Sequence, residues 1–284
     1  MYRFLALMLL TFASPASAAE NGAMLSHRFE AEVTMRLALP AAEQAVYGQH
    51  LLDALTRAGV HPDASQYIVL MDRSPQVQAV FIYWLEKQEP GLQPHFIGAS
   101  PASTGKPGEY DYFITPLGAF PNTVDAADYR AEGTQNKLGI RGLGRKGLRV
   151  FDFGWVQGKR GWDNDGYSPM RLLLHATDPD WLEPHLGEPM SKGCIRIPAA
   201  LVDFIDRYGL LDADYERSMM AGKEHWQIRK DRTPTPWSGR YLVIIDSGQT
   251  ERPEWSPKPV HVHPKDPAAQ HGKPPAADTP PLHR

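Results

Sequence analysis

The chain has 284 residues, 30 of them Lys or Arg and 33 Asp or Glu, for a formal net charge of −3. A near-balanced charge without a basic stripe excludes a nucleic-acid partner. One cysteine excludes an internal disulfide, and an aromatic content of 10% is ordinary for a chain with a real core.

The first residues, Met1-Tyr2-Arg3, lead into a short apolar run from Phe4 to Phe12 and then Ala13-Ser14-Pro15-Ala16-Ser17-Ala18-Ala19. One cation, about ten apolar residues and an Ala-x-Ala site describe a secretory signal peptide over residues 1–19, cut after Ala18 or Ala19. The run is too short to span a bilayer, which takes roughly twenty residues. No second long apolar stretch follows. The expectation is a soluble mature protein in the periplasm or cell envelope.

Residues 20–65 read as a helical arm. Pro40 opens a helix, because a first-turn residue needs no N–H partner. Leu51, Leu52 and Leu55 give it an apolar stripe, and Gly59 stops it. From Tyr67 the period changes to two. Strands are predicted at Tyr67–Met71 and Val77–Leu85, joined by the turn residues Asp72-Arg73-Ser74-Pro75 into a hairpin. Val77, Ala79, Phe81 and Tyr83 share one face. Further strands are predicted at Phe96–Ser100, Leu148–Phe153, Arg171–His175 and Arg240–Asp246. The Gly- and Pro-rich stretch between Ser100 and Gly147 reads as loops with short strands. One helix runs from Pro198 to Gly209, with Leu201, Phe204, Ile205 and Tyr208 on one face. From residue 251 to 284 the chain carries nine prolines and four histidines, and little apolar surface beyond Trp255. It reads as a disordered tail. His261-Val262-His263 offers metal-binding atoms, but such histidines in a solvated tail rarely bind strongly.

The chemistry centres on Ser191-Lys192-Gly193-Cys194-Ile195-Arg196. A lone thiol in an exported chain is inert filler or a nucleophile. Glycine beside it leaves backbone open, and the cations Lys192 and Arg196 favour thiolate. The turn lies shortly before the Pro198 helix, so unpaired helical N–H groups are expected to lower the thiol's pKa and to hold an oxyanion. The base is His175, which ends a predicted strand nineteen positions upstream. His185 is nearer in sequence but lies in a loop. Ala176 follows His175, so its backbone carbonyl is the one group at hand to orient the ring. Trp155, Trp162 and Tyr167 flank a glycine-rich loop placed to cap a groove. A zinc site from His175, His185 and Cys194 lacks close ligand pairs, so no metal and no cofactor are expected.

His175, the fifteen residues before Ser191, and the run through Arg196, with Ser103-Thr104-Gly105 and Thr115-Pro116-Leu117-Gly118-Ala119-Phe120 upstream, resemble the L,D-transpeptidase (YkuD-type) catalytic domain family. The likeness covers roughly Tyr67 to Gly209. Lys192 departs from the histidine that family often carries there. The resemblance implies a mainly β fold, a sandwich or barrel-like sheet with one helix beside the catalytic strand, over residues 66–250. It implies peptidoglycan stem peptides as substrate, with Cys194 attacking the carbonyl before a terminal D-alanine. The thioester would then be resolved by an amine to give a 3→3 cross-link. His175 would carry the proton, the Gly193 and Cys194 backbone the oxyanion, and Arg196 an anionic group of the stem, with Ser191 and Lys192 beside them. Two alternatives stay open on sequence: hydrolysis of the same thioester, as a carboxypeptidase, endopeptidase or amidase, and a non-catalytic peptidoglycan-binding module.

Overall fold

The computed structural model describes residues 15–163 and 166–261. Most of the signal-peptide run and residues 262–284 lie outside them. The fold is mainly β. The elements are α1 (Pro15–Glu32), α2 (Ala41–Arg57), β1 (Gln66–Asp72), β2 (Ala79–Gln88), β3 (Gly91–Pro101), β4 (Phe113–Ile114), β5 (Gly118–Pro121), β6 (Tyr129–Arg130), β7 (Arg149–Arg160), β8 (Tyr167–Ala176), a 3₁₀ turn (Glu183–His185), β9 (Ile195–Ile197), α3 (Ala199–Tyr208), α4 (Ala213–Met220) and β10 (Tyr241–Ile245).

Two mixed sheets hold the molecule together. One has the order β3-β2-β1-β10-β5, the other β4-β7-β8-β9 with β6 on the side of β7. The predicted hairpin is present, with Leu70 opposite Phe81. β1 and β2 are apolar on both faces because both faces are covered. Val69, Met71, Val80, Ile82 and Trp84 meet Phe151, Leu172, Leu174, Ile195 and Ile197 of the second sheet. Ile68, Leu70, Val77, Ala79, Phe81 and Tyr83 meet Tyr47, Leu51 and Leu55 of α2. Each such fully buried side chain contributes about 1.5–3 kcal/mol.

The expected arm is two helices with an extended break. α2 begins after Pro40 as predicted. α1 lies on the first sheet and on α3: Phe29 packs where a side chain at Gly98 would stand, and its ring meets Phe204 edge-on at 5.4 Å. α1 also runs through the expected cleavage site. α3 has Pro198 at its N-cap and the left-handed Gly209 at its C-cap, as the sequence predicts.

The disordered-tail expectation fails for residues 251–261. Trp255 packs its ring against Tyr47 and Phe81. The Ser256 hydroxyl bonds the carbonyls of Gln76 and Val77, both at 2.9 Å. Arg252 donates to the carbonyls of Pro75, Gly187 and Pro257. Pro-rich composition hid a segment whose backbone is satisfied by side chains rather than by a strand ladder.

Candidate active site

β8 and β9 run parallel, with Leu174 opposite Ile195 and His175 opposite Arg196. Alternation sends Leu174 and Ile195 into the core, so His175 and Arg196 share the other face. Cys194 comes immediately before β9 and meets β8 through its sulfur, 3.7 Å from the Arg171 carbonyl oxygen. The register thus brings His175 to the strand residue two positions after Cys194.

The turn before Cys194 is built from side chains. Gly193 adopts φ +125°, and a Cβ there would stand 2.7 Å from Met170 Cε and 3.0 Å from Phe113 Cβ. Only glycine fits. The Ser191 hydroxyl donates to the Cys194 carbonyl at 2.5 Å and accepts the Gly193 N–H at 3.0 Å. Thr115 Oγ1 donates to the Gly193 carbonyl at 2.8 Å and accepts the Gly105 N–H at 2.9 Å. A Cβ on Gly105 would collide with the Phe113 carbonyl. Gln78 clamps Thr104 from below through both its amide atoms. The Ser103–Gly105 and Thr115 segments noted in the sequence are therefore the scaffold of the cysteine turn.

His175 is buried, and its Nδ1 lies 2.6 Å from the Ala176 carbonyl oxygen. A carbonyl only accepts, so Nδ1 carries the hydrogen and Nε2 keeps a free lone pair. Burial pushes the imidazole pKa down to about 4, with Arg196 adding to the fall and the Ala176 carbonyl opposing it. The ring is neutral at neutral pH and is a base in waiting.

Three electrostatic expectations are overturned. The thiol of Cys194 is pushed up, not down: burial outweighs the Leu173 N–H bonded to the sulfur and the nearby Arg196, and Asp152 adds to the rise. Lys192 does not shift the thiol. Its ammonium pairs with Asp111 at 3.0 Å and lies over the Tyr112 ring, out in solvent. Nor does the helix reach the sulfur. β9 intervenes, which puts the start of α3 about 15 Å along the chain, and the Ala199 N–H there is capped by Glu183 at 2.6 Å. The resting pair is thiol and neutral imidazole.

The oxyanion expectation also shifts. Gly193 spends its N–H on Ser191, and Ser191 spends its hydroxyl on the turn. Both residues build the site. Arg196 is half-buried, its Nε is buried without a hydrogen-bond partner among the described residues, and burial lowers its pKa.

Several residues around the thiol were not singled out by the sequence. Asp152 lies beside the thiol and grips Arg171 through both carboxylate oxygens, at 3.1 and 2.8 Å. A register shift between Asp152 and Trp155 places it there. Gly154, at φ +79° in mid-strand, was the available signal, since glycine inside a strand marks a bulge. Arg171 also presents its carbonyl to Cys194 Sγ at 3.7 Å and lies over the exposed Trp155 ring. Tyr129 is close enough for the thiolate charge to raise its pKa, although burial does more. Of the three aromatics expected over the groove, Trp155 and Tyr167 are exposed. Trp162 packs against Phe113 and Tyr110. The set His175, His185 and Cys194 does not form a ligand group among the described residues; the three-ligand group that does form lies elsewhere.

No family model matches the chain, and no curated protein matches it. Among solved structures it is similar to the crystal structure of the helical cell shape determining protein Pgp2 from Campylobacter jejuni, at 12% identity and a TM-score of 0.26. The match covers 85% of this chain and 60% of that one. The chemistry of the site therefore rests on its own residues.

Proposed function

We propose that the chain is a cysteine acyltransferase of the L,D-transpeptidase kind, acting on peptidoglycan stem peptides in the periplasm or cell envelope after its signal peptide is removed. The observation that carries the reading is the β8–β9 register. It sets a neutral imidazole, locked by Ala176 through Nδ1, opposite Arg196, two residues after a half-buried thiol on a glycine turn. In the reaction Sγ leaves the Arg171 carbonyl and turns toward Nε2. His175 takes the thiol proton as sulfur attacks the carbonyl carbon. The new oxyanion is met by the Cys194 N–H, the donor left once Gly193 is committed to Ser191. His175 then hands the proton to the leaving D-alanine amine, and a thioester remains. An acceptor amine then attacks the thioester, its proton passes through His175 to the departing sulfur, and Cys194 is released as the thiol. The stem's carboxylate pairs with Arg196, whose planar fork suits a carboxylate.

Intact-mass measurement after exposure to a disaccharide-tetrapeptide or a carbapenem tests this. Wild type gains one covalent adduct, and Cys194→Ala gains none. A folded wild type that stays unmodified by both overturns the reading. Product analysis separates acceptors: cross-linked dimer follows from transfer, and tripeptide alone makes the enzyme a hydrolase.

A further inference from the structure

Between His175 and Cys194 the chain makes a loop whose far side is covered by the docked C-terminal segment. Val260 N–H donates to the Pro184 carbonyl at 2.8 Å. Pro257 packs where a Cβ on Gly187 would be, and Arg252 ties the Gly187 and Pro257 carbonyls together. This docking brings His261 to His185 and Glu188. His261 Nδ1 lies 3.6 Å from Glu188 Oε1, the two imidazole centroids are 5.1 Å apart, and one ligating atom from each of the three residues falls within 4.8 Å of the others.

We propose that His185, Glu188 and His261 form a binding site for a divalent cation of the zinc class, which fastens the C-terminal segment to the loop leading into Cys194. Zinc bonds of about 2.0–2.2 Å in tetrahedral array put ligand atoms roughly 3.3–3.6 Å apart. The Glu188–His261 pair already has that spacing. His185 needs a side-chain rotation of about an ångström, which half-exposed rings allow. Two imidazole nitrogens and one carboxylate oxygen favour zinc-like ions over magnesium or calcium, which take mostly oxygen. Three protein ligands leave a fourth position for water. His185 and Glu188 are three residues apart, but His261 comes 73 residues further on, so only the fold completes the site.

The test uses the full mature chain, stripped with chelator and titrated with Zn²⁺ against a competing indicator dye, alongside hydrogen exchange over residues 252–261. Wild type takes up one equivalent at micromolar or tighter affinity, and exchange across the segment slows. His185→Ala, Glu188→Gln and His261→Ala each weaken uptake by about tenfold or more and lose the slowing, with unchanged circular dichroism. Cys194→Ala binds as wild type. The proposal is overturned by any of three results: no uptake by wild type, uptake that survives all three ligand substitutions, or uptake lost with Cys194→Ala alone.

Discussion

At the scale of single residues the site stores its reactivity in a neutral pair. Cys194 is held as a thiol by burial and by Asp152, and His175 is held as neutral imidazole by burial and by Arg196. An ion pair would react with alkylating agents at a flat rate through neutral pH, because its thiolate is already formed. This pair behaves otherwise. Iodoacetamide labelling of Cys194, followed by mass spectrometry from pH 5 to 10, is expected to climb steadily with pH and to show no plateau near neutrality. A plateau between pH 5 and 8 would mean that the imidazolium–thiolate form dominates at rest. Under the proposed function, bound substrate supplies the missing drive, and the proton moves to Nε2 only as the carbon–sulfur bond forms.

Elements place these residues through a buried charge cluster as much as through apolar packing. Arg149 on β7 is fully buried and contacts Asp128 at 2.6 Å, Asp212 at 2.7 Å and Asp206 of α3 at 3.2 Å. Asp128 in turn accepts the Asp152 N–H at 2.7 Å, so the cluster also sets the bulge that carries Asp152. Arg149→Met leaves three buried carboxylates facing each other and is expected to cost about 3–5 kcal/mol in urea unfolding. A loss under 1 kcal/mol would show that the cluster is not holding β7 to α3. None of this was legible in sequence, where Leu148–Phe153 read simply as a strand. The β1–β2 hairpin, parts of β3, β7, β8 and β10, and α3 with its Pro198 and Gly209 limits were legible because each is written in local periodicity or turn residues. β9 was missed because three residues, Ile195–Ile197, are too few to show a period. The consequence was an electrostatic error: with β9 unseen, α3 was placed at the sulfur. α4 was missed because Tyr215 is its one buried side chain, which leaves no apolar stripe.

For the molecule as a whole, the buried His175 couples folding to pH. In the folded protein it resists protonation down to about pH 4, whereas the unfolded chain protonates it from about 6.5. As pH falls through that window the unfolded state gains a proton that the folded state refuses, so stability drops. The loss is about 1.4 kcal/mol per pH unit and about 3 kcal/mol in total. Urea midpoints compared at pH 7 and pH 4.5 are expected to fall further for wild type than for His175→Gln. Equal falls would assign the effect to other groups. The topology carries a consequence of a different kind. In the first sheet β10 lies between β1 and β5 yet comes from residues 241–245. Its slot stays open until nearly all of the described chain has left the ribosome, and long-range closure of this sort is slow. The keystone is the last stone cut: an unfinished copy has no native arch to settle into, and the nascent polypeptide remains threadable from end to end while it is being made.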